Sequence, residues 1–192
     1  MKKRKASDSK GIVAEILQEG GEYLIKIITD LFNLVLRGDA SIPKDWKTVI
    51  ITVLFKKGDP QLPQNYRPIS MLPILYKLFS RVLNERLKVY LDTQQSVDQA
   101  GFKSGFSCDD HLLALTLLHE KCAEWNKDFW VAFIDFEKAF DSVEHNTIWK
   151  ALLEQSVPDE YVKLLMELYS EQSACVHAGC RSRVFDIRRG TK

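Results

Sequence analysis

Apolar residues recur along this chain mostly at helical spacing, with a few short continuous runs of β-forming residues between them. Residues 12 to 19 and 22 to 37 are predicted helices. In the second, Leu24, Ile27, Ile28, Leu31 and Val35 form one stripe, and Gly38 suits the position after the last turn. Residues 46 to 55 are rich in β-branched side chains and break at Lys57-Gly58-Asp59-Pro60, a turn signal. A proline-spaced loop follows. A helix over 74–91 comes next, with Leu75, Leu78, Phe79, Val82, Leu83 and Leu87 on one face. After a loop at 95–107, Ser107 with Asp110 three residues on predicts a capping box opening a helix over 109–126.

Residues 129 to 134 are six largely apolar positions with no turn former, which predicts a strand buried on both faces. Asp141 and Glu144 are candidate caps for a helix running to Gln155. Pro158 suits the first turn of another helix, to Tyr169. Residues 174 to 187 predict a hairpin turning near 179–182. The element order predicts α/β or α+β and excludes a helical bundle.

The chain has 192 residues, 45% hydrophobic and 28% charged, with a net charge of +1. Those values suit a chain that buries a core, and they leave any nucleic-acid role to local patches. One such patch is Arg181, Arg183, Arg188, Arg189 and Lys192 against the single acid Asp186. Lys2-Lys3-Arg4-Lys5 matches a short nuclear localisation run or a solvated tail. No apolar run reaches the length of a membrane-spanning helix, so no membrane partner is expected. Four cysteines without a paired framework and no secretory signal lead to an intracellular expectation, nuclear or cytoplasmic. Cys175, His177 and Cys180 offer three zinc ligands, and structural zinc takes four.

Asp135 ends the predicted strand, where side chains reach a cleft rather than a core. A carboxylate there is costly unless a cation shares it. Phe133, Asp135 and Glu137 would share one face of that strand. Lys56 and Lys57 in the turn, and Arg67 in Asn65-Tyr66-Arg67-Pro68-Ile69-Ser70, suit a triphosphate clamp: Arg as a bidentate fork, Lys as a point charge. In Gln99-Ala100-Gly101-Phe102-Lys103-Ser104-Gly105-Phe106-Ser107, Gly101 and Gly105 let backbone approach a strand closely, and Lys103 supplies a phosphate contact.

The pattern F-x-D-x-x-x-A-F-D over 133–141 resembles the first catalytic motif of non-LTR (LINE-type) retrotransposon reverse transcriptases. The K-K-G-D turn with Y-R-P-I-S resembles that family's fingers, and the 99–107 loop is similar to its Q-x-G-F-R-x-G-x-S segment, with Lys103 where many members have Arg. The resemblance spans residues 8 to 192. It implies an α+β right-hand polymerase, with an antiparallel palm sheet. Fingers would span about 11–126 and the start of the palm about 127–192, behind a tail at 1–10. It implies magnesium as cofactor, held by Asp135 and the Phe136 backbone carbonyl. Lys56, Lys57, Arg67 and Phe140 would meet the incoming nucleotide, with Phe140 as a steric gate under its sugar. Lys103, Gly101, Gly105, Arg188 and Arg189 would meet nucleic acid, and the partners would be an RNA template, a DNA primer and deoxynucleotides.

The family's Q-G-D-P string and A-D-D hairpin, which bears further catalytic aspartates, do not occur here. The expectation is therefore a truncated fragment, fingers plus the start of the palm, inactive alone and marginally stable. One alternative is a non-catalytic nucleic-acid-binding remnant. Another is an aspartyl phosphotransferase with Asp135 as nucleophile, disfavoured because Glu137 and Ala139 stand where D-x-D-x-T would need Asp and Thr.

Overall fold

The structure, a computed structural model, describes residues 7–103 and 105–191; the basic run at 2–5, Ser104 and Lys192 lie outside the described residues. Helices come first: α1 (Ala14–Glu19), α2 (Gly21–Arg37) and the single turn α3 (Lys44–Lys47). Gly38 closes α2 in the left-handed conformation, its N–H reaching the Leu34 and Val35 carbonyls. Strand β1 (Thr48–Phe55) begins two residues later than expected, because Trp46 sits in α3. That turn sends the indole into the core, 5.0 Å from the Phe79 ring and 5.7 Å from Tyr76.

β2 (Tyr66–Met71), α4 (Ile74–Gln94) and α5 (Cys108–Glu124) follow. Then come α6 (Ala139–Ser142), α7 (His145–Glu154), α8 (Asp159–Tyr169), β3 (Ser173–Ala178), β4 (Cys180–Arg181) and β5 (Phe185–Asp186). The core lies among the helices, where Phe32, Trp46, Tyr76, Phe79, Leu83, Trp149 and Leu168 pack together. Phe79 is 0% exposed and meets Phe32 edge-on at 5.1 Å. Burial pushes the Tyr76 hydroxyl up to about 12, a Ser80 hydrogen bond opposing it and Tyr169 adding to it. None of the described helices is long and apolar enough to cross a membrane.

The sheet runs β2-β1-β3-β4, with β5 also on β3. The antiparallel sheet expected from the sequence is corrected to a mixed one: β1 and β3 are parallel, from Thr48↔Ser173 to Thr52↔His177. A parallel pair needs a long crossover, and α4 to α8 supply it. Part of the proline-spaced loop, Tyr66–Met71, is in fact β2, antiparallel to β1. Pro68 is tolerated there because β2 is an edge strand, where a missing N–H breaks no inner ladder. The 174–187 hairpin forms as expected, with Gly179 at φ 80° between β3 and β4.

The predicted buried strand at 129–134 does not form. Residues 127–136 are irregular, with Phe133 86% and Ile134 82% exposed. A strand exists only where a neighbour takes its N–H and C=O groups, and among the described residues nothing pairs with this segment. α5 shares that isolation. Its capping box, Ser107 with Asp110, forms from local signals, yet none of its residues is buried.

Asp8, in the segment expected as a polar tail, anchors the chain's start. Its Oδ1 accepts from the N–H groups of Lys10 and Ile12 at 2.9 Å, and its Oδ2 from Ile74 at 3.1 Å, the first residue of α4. Partial burial raises the carboxyl's pKa, but those three donors and the Lys10 charge outweigh it, leaving it below the ordinary 3.8. A lowered value means the contribution is present above about pH 3.9 and is lost as pH falls through the folded-state value. Asp8→Ala is expected to cost about 0.5–2 kcal/mol at pH 7, the range for a lost helix cap. Denaturant titration at pH 7 and pH 3 checks this; an equal loss at both would contradict it.

Candidate nucleotide and nucleic-acid site

The β1–β2 hairpin carries three of the residues singled out in the sequence. Past the Phe55↔Tyr66 pair, the Lys56 N–H donates to the Asn65 carbonyl at 2.8 Å, extending the ladder into the turn. The turn is braced: Asn65 Nδ2 donates to the Asp59 carbonyl and the Tyr66 hydroxyl to the Pro60 carbonyl, both at 2.9 Å. Gly58 sits at φ 94°, and a Cβ there would lie 2.8 Å from the Asn65 amide nitrogen. Lys56, Lys57 and Arg67 are exposed. Arg67 opposes Leu54 in the ladder, so strand alternation puts it and Lys56 on one face, while Pro68 and Ser70 take the other.

The second cluster lies on that other face. Pro68, Ser70, Val49 and Ile51 line a cavity of about 270 Å³ with Asp141, Arg189 and Gly190. Here the basic segment docks on the stretch after Asp135. The Gly190 N–H donates to the Val143 carbonyl and the Thr191 N–H to the Phe140 carbonyl, both at 2.8 Å. His145 Nε2 donates to the Gly190 carbonyl at 2.9 Å. Gly190 has φ 88°, and a Cβ would sit 2.8 Å from the Asp141 carbonyl oxygen, so only glycine fits. Sequence reasoning missed His145 and Gly190 as determinants of this region; a glycine closing an arginine pair was the available signal.

Phe140 belongs to α6 and meets Phe102 edge-on, ring centroids 5.6 Å apart, which joins the 99–107 loop to the Asp135 motif. Gly105, in the same loop, holds φ 82°. Lys103 donates from Nζ to the Ser96 carbonyl at 3.2 Å and lies over the Phe106 ring. Arg188 and Arg189 are exposed. The two expected caps provide no side-chain hydrogen bond: Asp141 is inside α6, and Glu144 precedes α7 without capping it.

Asp135 and Phe136 lie on the exposed irregular segment, not at a strand end. Among the described residues Asp135 forms no ion pair with Lys56, Lys57 or Arg67, and no group of three His, Cys, Asp or Glu side chains converges. Asp135 suits magnesium as a hard oxygen donor. A two-metal centre takes carboxylates from more than one segment, so these residues alone do not complete one.

Residues 55–190 match the family described as reverse transcriptase (RNA-dependent DNA polymerase). The chain belongs to that family. Every candidate residue of this reverse transcriptase segment, from Lys56 to Arg189, falls inside the matched span. Its relatives include the probable RNA-directed DNA polymerase from transposon BS of Drosophila melanogaster, 36% identical over 60% of this chain and 13% of that protein. The probable RNA-directed DNA polymerase from transposon X-element of the same fly is 32% identical, over 73% of this chain and 16% of that protein. The RNA-directed DNA polymerase from mobile element jockey, also from that fly, is 32% identical over 65% and 14%. The reverse transcriptase segment spans about a fifth or less of the length of the curated relatives it matches.

Proposed function

We propose that this chain supplies part of a retrotransposon RNA-directed DNA polymerase: the hairpin facing the incoming triphosphate and the first metal-holding carboxylate. The observation that carries this is Lys56 and Arg67 on one face of a braced hairpin, within a segment that matches reverse transcriptases. Two cations on a rigid frame hold a polyphosphate with little ordering cost, Arg67 by its fork and Lys56 or Lys57 as a point charge. Asp135 and the Phe136 carbonyl would hold magnesium jointly with carboxylates from another segment. Magnesium, when bound, neutralises phosphate charge and polarises the reacting oxygens. Phe140 would lie under the sugar and exclude a 2′-hydroxyl by contact, favouring deoxynucleotides.

Nucleic acid, an RNA template and a DNA primer, would meet Gly101, Lys103 and Gly105 in the loop, and Arg188 and Arg189 beside the Asp141 cavity. Arg67, Arg181, Arg183, Arg188 and Arg189 are exposed and form no ion pair among the described residues, so a near-neutral chain still presents free positive charge. In this reading residues 11–126 form the fingers and 127–192 begin the palm.

Binding to single-stranded RNA is therefore expected to fall steeply with salt, log K declining by about 0.7 per neutralised phosphate for each unit of log salt. Arg67→Ala should weaken binding, and Arg188→Ala with Arg189→Ala should also flatten that slope by about 0.7 for each phosphate no longer neutralised. Point substitutions are needed because deleting the segment would remove β5 and the Gly190 docking. Titration at 50 and 200 mM salt tests this. Affinity independent of salt, or unchanged in all variants, would sink it.

A further inference from the structure

Between the C-terminal turns of α4 and the 99–107 loop lies a cavity of about 330 Å³, lined by Asn84, Lys88, Asp92, Gln95, Phe102 and Lys103. Its size is that of a small-ligand site, and its lining mixes cations, an acid and two amides. Phe102 forms one wall and is 94% exposed, the most exposed large apolar side chain described. Its backbone stands at φ 61°, a left-handed conformation that is strained for a non-glycine residue.

Residues 99 to 103 around it are held in place. Ala100 is buried, the Gln99 amide donates to the Gly101 carbonyl at 3.0 Å, and Lys103 is tied to Ser96. The ring is thus presented from a braced loop. Phe140 meets it edge-on, ring centroids 5.6 Å apart, and leaves it open to solvent. That one edge contact covers little of the ring, which remains 94% exposed at a positive φ.

We propose that this cavity binds one unpaired base of a single-stranded nucleic acid, stacked on Phe102. Base–aromatic stacking needs an open ring of fixed orientation, and every base has a π-face to offer. Asn84, Gln95 and Asp92 carry the amide and carboxylate groups that pair with base edges. Lys103 spends one donor on Ser96 and keeps two for a phosphate. Lys88 exchanges its exposed Glu85 partner, 3.0 Å away, for a second phosphate. A base-paired strand would keep its bases in the stack, so the site selects single strands over duplex. A base here presupposes the nucleic-acid binding proposed above and adds its form, a flipped-out, stacked base.

The test uses the full chain at low salt with an unstructured RNA 12-mer carrying 2-aminopurine, and a duplex of equal length. Stacking quenches 2-aminopurine, so the wild type is expected to quench it and to prefer the single strand. Phe102→Ala should weaken single-strand binding by about 5- to 150-fold and abolish the quench, without altering the salt slope. Phe102→Trp should restore both, and Lys103→Ala should flatten the slope. Phe102 packs little, so circular dichroism of the alanine variant should match the wild type. Wild-type binding with normal salt dependence but no quench, or a quench that survives Phe102→Ala, overturns the stacked base and leaves the polymerase reading standing. Absence of any RNA binding at low salt overturns both.

Discussion

Supplied with magnesium, deoxynucleotides and a primed RNA template, the purified 192-residue chain is expected not to extend the primer. Nucleotidyl transfer by two metal ions about 3.5–4 Å apart needs carboxylates from more than one segment. Among the described residues Asp135 stands without converging acids, and no A-D-D string occurs in the sequence. Removing even one well-placed electrostatic group costs about 10²–10³ in rate, roughly 2.7–4 kcal/mol. In a longer polymerase containing this segment, Asp135→Asn is expected to lower extension by at least about 10²-fold. The substitution keeps the side chain's size and removes its charge, and Asp135 is exposed, so folding should not suffer. Gel-resolved primer extension reads both. Robust synthesis by the isolated chain that disappears in Asp135→Ala would overturn the assignment of an incomplete centre.

Phe79→Ala is expected to destabilise the chain by about 3–5 kcal/mol, whereas Phe133→Ala should leave the melt almost unchanged. The two residues are chemically identical; Phe79 lies on the apolar face of α4 and Phe133 in an apolar run. Phe79 is fully enclosed by Phe32 and Trp46, so truncation leaves a cavity; Phe133 is 86% exposed, so truncation removes little packing. A domain's whole stability is only about 5–15 kcal/mol, so the first variant should melt on the order of 10 °C lower. Phe133→Ser, together with Trp130→Ser, should instead reduce dye binding and self-association, because large exposed apolar patches drive both. Equal losses of stability in Phe79→Ala and Phe133→Ala would show that residues 129–134 are enclosed after all.

Much of the fold is legible because its signals are local. The α2 helix with its Gly38 stop, the apolar face of α4, the Ser107–Asp110 capping box and the turn at Gly179 each depend on a few neighbouring residues; the α2 stripe was legible only in part, since Ile27 is exposed and Phe32 takes the core position. The family was legible too, because Lys56, Arg67, Lys103 and Asp135 stand in short patterns inside the matched span. β2 was not, because a proline-containing stretch becomes a strand only when an edge position is open beside β1.

Sequence by itself determined the longer helices α2, α4, α5, α7 and α8, and which family the chain resembles. Tertiary structure alone decided the parallel pairing of β1 with β3, which joins residues 125 apart such as Thr48 and Ser173. It decided that Gly190 and Thr191 clasp Phe140 and Val143, and that Arg67 and the Asp141 cavity take opposite faces of the sheet. It also decided that the apolar residues 130–134 are exposed. Hydrophobicity states what a segment would gain by burial; whether a partner stands ready to hydrogen-bond its backbone and cover its side chains is a property of the assembled fold.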